Sequence, residues 1–490
     1  MRIEYFGIDH PFSNHSAKPS TQIVRYALLD TYHHETEPFM IEQQIVGQGR
    51  TRGLGDRAWR WMLQLDLPAP VRTDAEVTDL AEKDYTWNFT VNLLDGVFFW
   101  FGLSFISSTT IAPLFLSKLT HSTWPIVLLA VLAQSSWYLP QLFTANWTER
   151  LARKKPAVVG LGFITERVPV LLFPAAALVA TRSPMLAMFL FFWGYAWHSL
   201  GAGIIAPAWQ DMVARIFPVQ KRGWFFGVSS FLGTGTGALG AGLSGWILAT
   251  VAFPRNFALT FAIAAGGVMI SWLFIAMTRE PAQRPPEILH NKQTSWKKYR
   301  RIVGEDRNFR TFLFARVLGV MGSMGVGFVT VFAIKRFGVA DSTVGIYTAA
   351  MLLGQTFGNL GAGLLADRYG HKISLEVGLL LSSVGFVLAW LAPSPMWMFP
   401  IFAFLGMATG IFIVSGILIA LEFSAPQDRP SYIGIANTSL GLGSIIAPLL
   451  GGWLALSGYD LVFIASACMD LLALAVMHWA VQEPRGRTRA

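Results

Sequence analysis

Six ionisable side chains interrupt apolar stretches long enough to cross a bilayer: Asp95, Glu166, Arg167, His198, Arg316 and Asp470. An unpaired charge at that depth is costly, so each implies a partner or a task. The chemistry open to this set is proton exchange. A buried acid takes up a proton when a nearby arginine moves away and releases it when the arginine returns. The competing reading is a fixed ion pair between helices, and that reading leads for the adjacent Glu166 and Arg167. His198, alone beside Trp197, reads as a packed residue before a ligand contact, and Asp470 ranks last as a functional group. Gln134, Ser135, Gln355, Asn359 and Asn437 are the neutral polar groups that could line a cavity, with Phe99, Trp100, Trp137, Tyr138 and Trp193 as aromatic partners. That mixture suits an amphipathic organic solute.

A second constellation sits in short charged turns. Gly363-Leu364-Leu365-Ala366-Asp367-Arg368-Tyr369-Gly370-His371-Lys372 is wedged between two apolar runs, and Glu149-Arg150-Leu151-Ala152-Arg153-Lys154 stands in the corresponding place earlier in the chain. Asp211 and Glu422 fall at the ends of later runs. His10, His15, His33 and His34 lack the spacing of a metal site, and the single cysteine, Cys468, lies inside an apolar run, so neither a metal site nor a disulfide framework is expected. No cofactor is expected either.

Positioning such groups takes a membrane scaffold. The 490 residues are 53% hydrophobic and 14% charged, whereas about a quarter of residues are charged in an ordinary soluble domain. A helical span needs about 20 apolar residues, and lipid satisfies no backbone polar group, so helices are the default. The apolar runs predict helices near 89–117, 124–146, 157–181, 184–209, 224–250 and 256–278, then near 310–334, 342–366, 373–393, 396–423, 431–456 and 460–481. The expected fold is therefore an all-α polytopic membrane protein, with twelve transmembrane helices in two six-helix, pseudo-symmetric bundles at 87–278 and 310–482. A polar extension, 1–86, precedes them, a basic linker, 279–309, joins them, and a short tail, 483–490, follows. The extension holds two amphipathic candidates, 21–32 and 56–67, the second suited to a membrane surface. It lacks an apolar stretch of signal-peptide length, so the first spanning helix is expected to direct insertion.

The halves also resemble each other. Asn88-Phe89 opens one and Asn308-Phe309 the other, Gly102 and Gly322 follow at the same offset, and Arg279-Glu280-Pro281 closes the first as Gln482-Glu483-Pro484 closes the second. Such repeats mark transporter folds. Alternate loops divide the basic residues unequally: those at 147–156, 211–223, 279–310, 367–372 and 424–430 hold 19 Lys and Arg, against Lys118, Arg182, Arg255, Lys335 and Arg336 on the other side. The first set is expected to be cytoplasmic, with both termini. This also accounts for the net charge of +9 without nucleic acid, because the basic residues are spread over short loops and form no single soluble face.

The turn Gly363–Lys372, with Ala-Asp-Arg, Gly and then basic residues, resembles the loop signature of the major facilitator superfamily of secondary transporters, and the resemblance covers about residues 88–484. It implies a set of gating residues: Gly363, Asp367, Arg368, Gly370 and Lys372, with Glu149 and Arg150 in the first half. Asp367 would sit at the N-terminus of a helix from the opposite half, a contact that exists only when the cytoplasmic side is closed. Arg150 would pair with Asp211, and Arg368 with Glu422. Family architecture places the first, fourth, seventh and tenth helices around the cavity, which makes Asp95 and Arg316 the expected pair. The function implied is movement of a small organic solute across the inner (plasma) membrane by alternating access. Proton-coupled efflux of hydrophobic compounds is favoured. A nutrient or metabolite importer is the runner-up, and a non-transporting receptor or scaffold is the reading from another class. No P-loop for ATP and no nucleophile-base constellation within the spans is present, so an enzyme is not expected.

Overall fold

A computed structural model of the protein describes residues 54–284, 295–423 and 429–484. The amphipathic candidate at 21–32, the four N-terminal histidines, linker residues 285–294, loop residues 424–428 and the tail from 485 lie outside the described residues. So do the side chains of Glu149 and Asp367. Two units are distinguished, 1–60 and 61–490. Of the first, residues 54–60 begin helix α1 (Leu54–Met62).

Every regular element among the described residues is helical. In the second unit α2 (Asp74–Lys83) is followed by α3 (Tyr85–Ser104), α4 (Ile111–Leu119), α5 (Trp124–Tyr138), α6 (Gln141–Glu149), α7 (Ala157–Val179), α8 (Pro184–Ile216), α9 (Val219–Thr250) and α10 (Arg255–Ala276). After the linker come α11 (Ser295–Glu305), α12 (Arg307–Gly322), α13 (Val326–Phe337), α14 (Asp341–Tyr369), α15 (His371–Leu391), α16 (Met398–Glu422), α17 (Arg429–Ala455) and α18 (Tyr459–Ala480). Starts are marked by capping chemistry. Thr73 and Glu76 form a reciprocal capping box on α2, Ser183 caps α8 just before Pro184, and the Asp306 carboxylate accepts from Phe309 N–H at 2.9 Å on α12. Gly370, at φ 93°, lets α14 turn directly into α15.

Nine stretches among the described residues are long and apolar enough to cross a membrane: α7, α8, α10, α12 with α13, α14, α15, 395–420, 432–455 and α18. Of the other three rods, α9 is continuous as expected and two are broken. The run 89–117 breaks at 105–110 into α3 and α4, and 124–146 breaks at Leu139-Pro140 into α5 and α6, where proline has no N–H to continue the ladder. In α9 glycine dilutes the hydropathy. The third span, α7, is irregular, with π-helical stretches at Ala157–Leu161 and Phe163–Arg167 and a 3₁₀ turn at Val168–Leu171 before regular helix resumes.

Helices pack mainly within two sets. In the first, α3 lies against α9 and α10, and α8 against α5 and α7; in the second, α16 lies against α14 and α15, and α18 against α12 and α15. Between the sets α9 crosses α14 and α5 crosses α17. Phe115, Phe173, Phe191, Phe257 and Phe261 fill one core, while Phe328, Phe332, Phe386 and Phe463 belong to another.

The repeat landmarks turn out to bond to one another. Asn88 brackets Arg279, donating from Nδ2 to its carbonyl at 2.9 Å and accepting from its N–H at 2.8 Å. Asn308 brackets Gln482 with the same pair of bonds at 2.9 and 2.8 Å. The next residue then caps a helix: the Glu280 carboxylate accepts from Lys154 and Lys155 N–H at 2.7–2.9 Å at the start of α7, and Glu483 Oε2 accepts from Lys372 N–H at 3.1 Å at the start of α15. Each half thus ties the end of its sixth span to the starts of its first and third. The duplication differs deeper in the fold. Gly102 and Gly267 meet where α3 crosses α10, whereas Gly322 of α12 meets the carboxylate of Asp470 on α18.

Candidate functional site

Asp95, on the face of α3 that meets α10, is buried and accepts from Ser271 Oγ at 2.6 Å. Glu166 and Arg167, in a π-helical stretch of α7, are buried in electrostatic reach of it and pair with each other. The Arg167 guanidinium lies 4.9 Å from the Phe99 ring centroid, and its Nε has no hydrogen-bond acceptor. His198 of α8 is also buried, with Nδ1 2.7 Å from the Glu166 carbonyl, so that ring nitrogen carries the proton and donates. Asp95, Glu166, Arg167, His198 and Ser271 therefore form one polar cluster sealed inside the first half. A π-helical insertion often marks a functional position, and here it carries the two charges.

This arrangement departs from the expected Asp95–Arg316 pair. Arg316 stands on α12 in the other half, where its guanidinium lies 5.6 Å from the Phe412 ring centroid and within electrostatic reach of Tyr138 on α5. The sequence places both residues in spans but does not fix which way each helix is rotated. Gln134 joins the same seam, its Oε1 accepting from Ser323 Oγ at 3.3 Å. Gln355 is buried where α14 packs on α16, and the Asn359 Oδ1 in that contact is buried without a donor. Asp470 is fully buried; Ser382 Oγ donates to its Oδ2 at 2.6 Å, and Oδ1 has no partner.

The charged turns also pair differently from expectation. Asp211 meets Lys154 Nζ at 3.0 Å and Arg215 Nε at 3.5 Å, not Arg150. The reason is the chain path after α6: Lys154 folds back fully buried and donates to the Thr148 carbonyl, while Arg150 faces outward. Burial pushes the Lys154 ammonium below its ordinary pKa, opposed by Asp211, and pushes the Glu280 carboxyl up, opposed by the Lys155 and Lys154 N–H groups and Arg215. In the second half Glu422 lies 3.9 Å from His371 Nε2, not against Arg368, which is exposed over the Tyr369 ring at 5.1 Å. Lys372 pairs with Glu376 at 3.5 Å and donates to the His478 carbonyl. Around Gly363 there is open space. Ser271, Glu280 and Glu483 were missed as site residues. The Glu-Pro pairs were visible as repeat landmarks, and their position just past an apolar run was the available signal.

The described polar contacts that cross between the halves run from mid-span to the end marked by Lys118. There Lys118 meets Asp341 at 2.7 Å, Thr330 Oγ1 donates to the Thr109 carbonyl at 2.6 Å, and Thr348 Oγ1 donates to Thr110 Oγ1 at 2.6 Å. At mid-span Thr234 and Thr356 share a hydrogen bond at 2.5 Å. Gly245 packs on the Ser342 carbonyl and on Gly345, so that two helix backbones touch. The basic turns occupy the opposite end, marked by Lys154.

The family model for the Major Facilitator Superfamily matches residues 312–490. An uncharacterised MFS-type transporter of Bacillus subtilis (strain 168), YfkF, is 28% identical over 206 residues, which are 40% of this chain and 49% of that protein. Multidrug resistance protein MdtH of Proteus mirabilis (strain HI4320) is 28% identical over 148 residues, 30% of this chain and 36% of its own. The matched segments thus span half or less of these curated relatives. Among solved structures, a D-xylose-proton symporter superposes with a TM-score of 0.58 at 17% identity, covering 82% of this chain and 99% of its own. A POT family transporter superposes with a TM-score of 0.60 at 14% identity, covering 79% and 94%. At these identities the likeness is one of fold.

Proposed function

We propose that this chain, whose residues 312–490 match the Major Facilitator Superfamily model, is a member of that family and a secondary transporter that carries a small organic solute across the plasma membrane by alternating access, working as a proton-coupled exporter. The observation that supports this most is the lopsided seam. Two halves, each tied internally, meet through described contacts that run from mid-span to the Lys118 end, and Arg316, deep in the fold, is half-buried. With the basic loops on the cytoplasmic side, this is a state closed to the outside and reached from the cytoplasm.

The proton carrier is Asp95. It is held by one hydroxyl and faces the Glu166–Arg167 pair, so a small shift of α7 changes the field on the carboxyl and with it the proton's hold. Drug efflux is suggested by the multidrug resistance relatives. The symporter and nucleoside transporter folds keep an importer as the second reading. Both readings are non-enzymatic and need no cofactor; the partners are a solute, protons and the lipid bilayer.

The test is proton release from detergent-purified protein in weak buffer as a broad solute panel is added, run in parallel on Asp95→Asn. Release from the wild type that is lost in the variant supports coupling through Asp95. Binding without release assigns the Asp95 cluster a structural role and points to another coupling ion or facilitated diffusion. Silence across the panel favours a non-transporting receptor.

A further inference from the structure

We propose that the solute is an organic anion with an apolar body, and that Arg316 is the cation that docks its charged group; this rests on the transporter reading above. The argument starts from charge accounting. Among the described residues no carboxylate pairs with Arg316, and the acids within the spans are engaged elsewhere: Asp95 with Ser271, Glu166 with Arg167, Asp470 with Ser382. Of the described acids at the Lys154 end, Glu376 lies with Lys372 and His478, and Glu422 with His371. A guanidinium deep in a membrane fold without a counter-ion is costly. A solute that carries the counter-ion removes that cost when it binds.

The surroundings fit such a guest. Phe412 lies 5.6 Å from the guanidinium carbon, ring centroid to Cζ, and the fork of N–H groups on a guanidinium suits a two-oxygen acceptor. Gly416 makes the room, since a Cβ there would stand 2.6 Å from Arg316 Nη2. Tyr138, from the other half, adds a phenolic donor within electrostatic reach. Arg316 of α12 and Ser323, the residue that follows its last turn, are seven residues apart and lie on one side; on α5, Gln134 and Tyr138 are four apart and share a face. Ser323 bonds Gln134, which places Arg316 and Tyr138 as the next rung toward the Lys154 end. Val317 and Val320 of α12 lie against Gly443 of α17 and supply an apolar wall beside that rung. The group that docks the charge therefore straddles both halves, so its occupancy is felt by both.

The experiment uses the full chain in detergent and three probes of one shape: 1-naphthylacetate, 1-naphthylmethylammonium and 2-(1-naphthyl)ethanol. Binding is read from tryptophan fluorescence and thermal shift, for wild type, Arg316→Gln and Arg316→Lys. The expected result is binding of the anion in preference to the other two, weakened at least about tenfold in Arg316→Gln, as loss of a charge-assisted hydrogen bond implies, and partly restored in Arg316→Lys. An unchanged melting profile without probe separates docking from misfolding. The proposal is overturned if the cation or the alcohol binds as tightly as the anion, if no anion binding is seen, or if Arg316→Gln keeps the anion's affinity. Counterflow of labelled naphthylacetate in proteoliposomes distinguishes the two levels. Anion binding without exchange sinks the transport reading and leaves the docking site standing. Exchange of probes regardless of charge sinks the docking site and leaves transport standing.

Discussion

Wedging the seam at Gly245 should drive the molecule out of the state described. A Cβ at Gly245 would lie 2.8 Å from the Ser342 carbonyl and 3.5 Å from Gly345 Cα, both of them backbone that cannot rotate away. Alanine must therefore push α9 and α14 apart slightly, and leucine considerably. Overpacking of this kind costs about 1–3 kcal/mol, and at about 1.4 kcal/mol per tenfold this moves the equilibrium about 5- to 150-fold toward the state open at the Lys118 end. The assay exploits the single cysteine, Cys468. On a Cys468→Ser background, Val344→Cys places a thiol at a fully buried seam position of α14. Its labelling by a membrane-impermeant maleimide should accelerate from the parent to Gly245→Ala and again to Gly245→Leu, and added solute should modulate it. Equal labelling rates in all three folded proteins would refute the view that this seam is the closed gate.

Three further outcomes follow from the described contacts. Asn308→Ala removes two hydrogen bonds and strands a peptide group of Gln482, so it should lower unfolding stability by about 1–3 kcal/mol, and Asn88→Ala should match it because the bracket is repeated at Arg279; size-exclusion melting curves compare them, and a large difference between the two would break the mirror. Glu280, lifted by burial above its ordinary value of 4.5, holds in the folded state a proton that the unfolded chain has released, so stability falls as pH rises through that window. The margin of wild type over Glu280→Gln should shrink as pH is raised above 4.5, and a widening margin would contradict this. Asp470→Asn replaces a buried acid whose Oδ1 has no partner, so it should be as stable as wild type or more so at alkaline pH, and a large loss of stability would show that the acid is satisfied by something more than Ser382.

Much of the architecture was legible because lipid allows so few solutions. Apolar runs had to be helices, and the landmark pairs at Asn88 and Asn308, Glu280 and Glu483 exposed the repeat before their bonds were visible. What the sequence hides is rotation and chain path. Asp95 was assigned to the central seam because its span lines that seam, yet its own face of α3 points at Ser271 within the bundle. Asp211 was matched with Arg150 by proximity to two helix ends, but the turn after α6 delivers Lys154 instead. The breaks at 105–110 and Pro140 were masked by unbroken hydropathy, which measures composition and is blind to backbone torsion. Arg316 was recognised as unusual for its depth; that none of the described acids pairs with it emerged only once the acids within the spans had been placed.

The mirrored brackets carry one more implication. Because Asn88 with Glu280 and Asn308 with Glu483 fasten each half to itself at the Lys154 end, neither half has to be rebuilt when the molecule changes state. The described contacts of the seam are short hydroxyl bonds, one partly exposed ion pair and glycine surfaces. On the alternating-access reading proposed above, a clasp so light resists opening only weakly, so that solute and proton binding at the deeper groups need supply little free energy to part the halves.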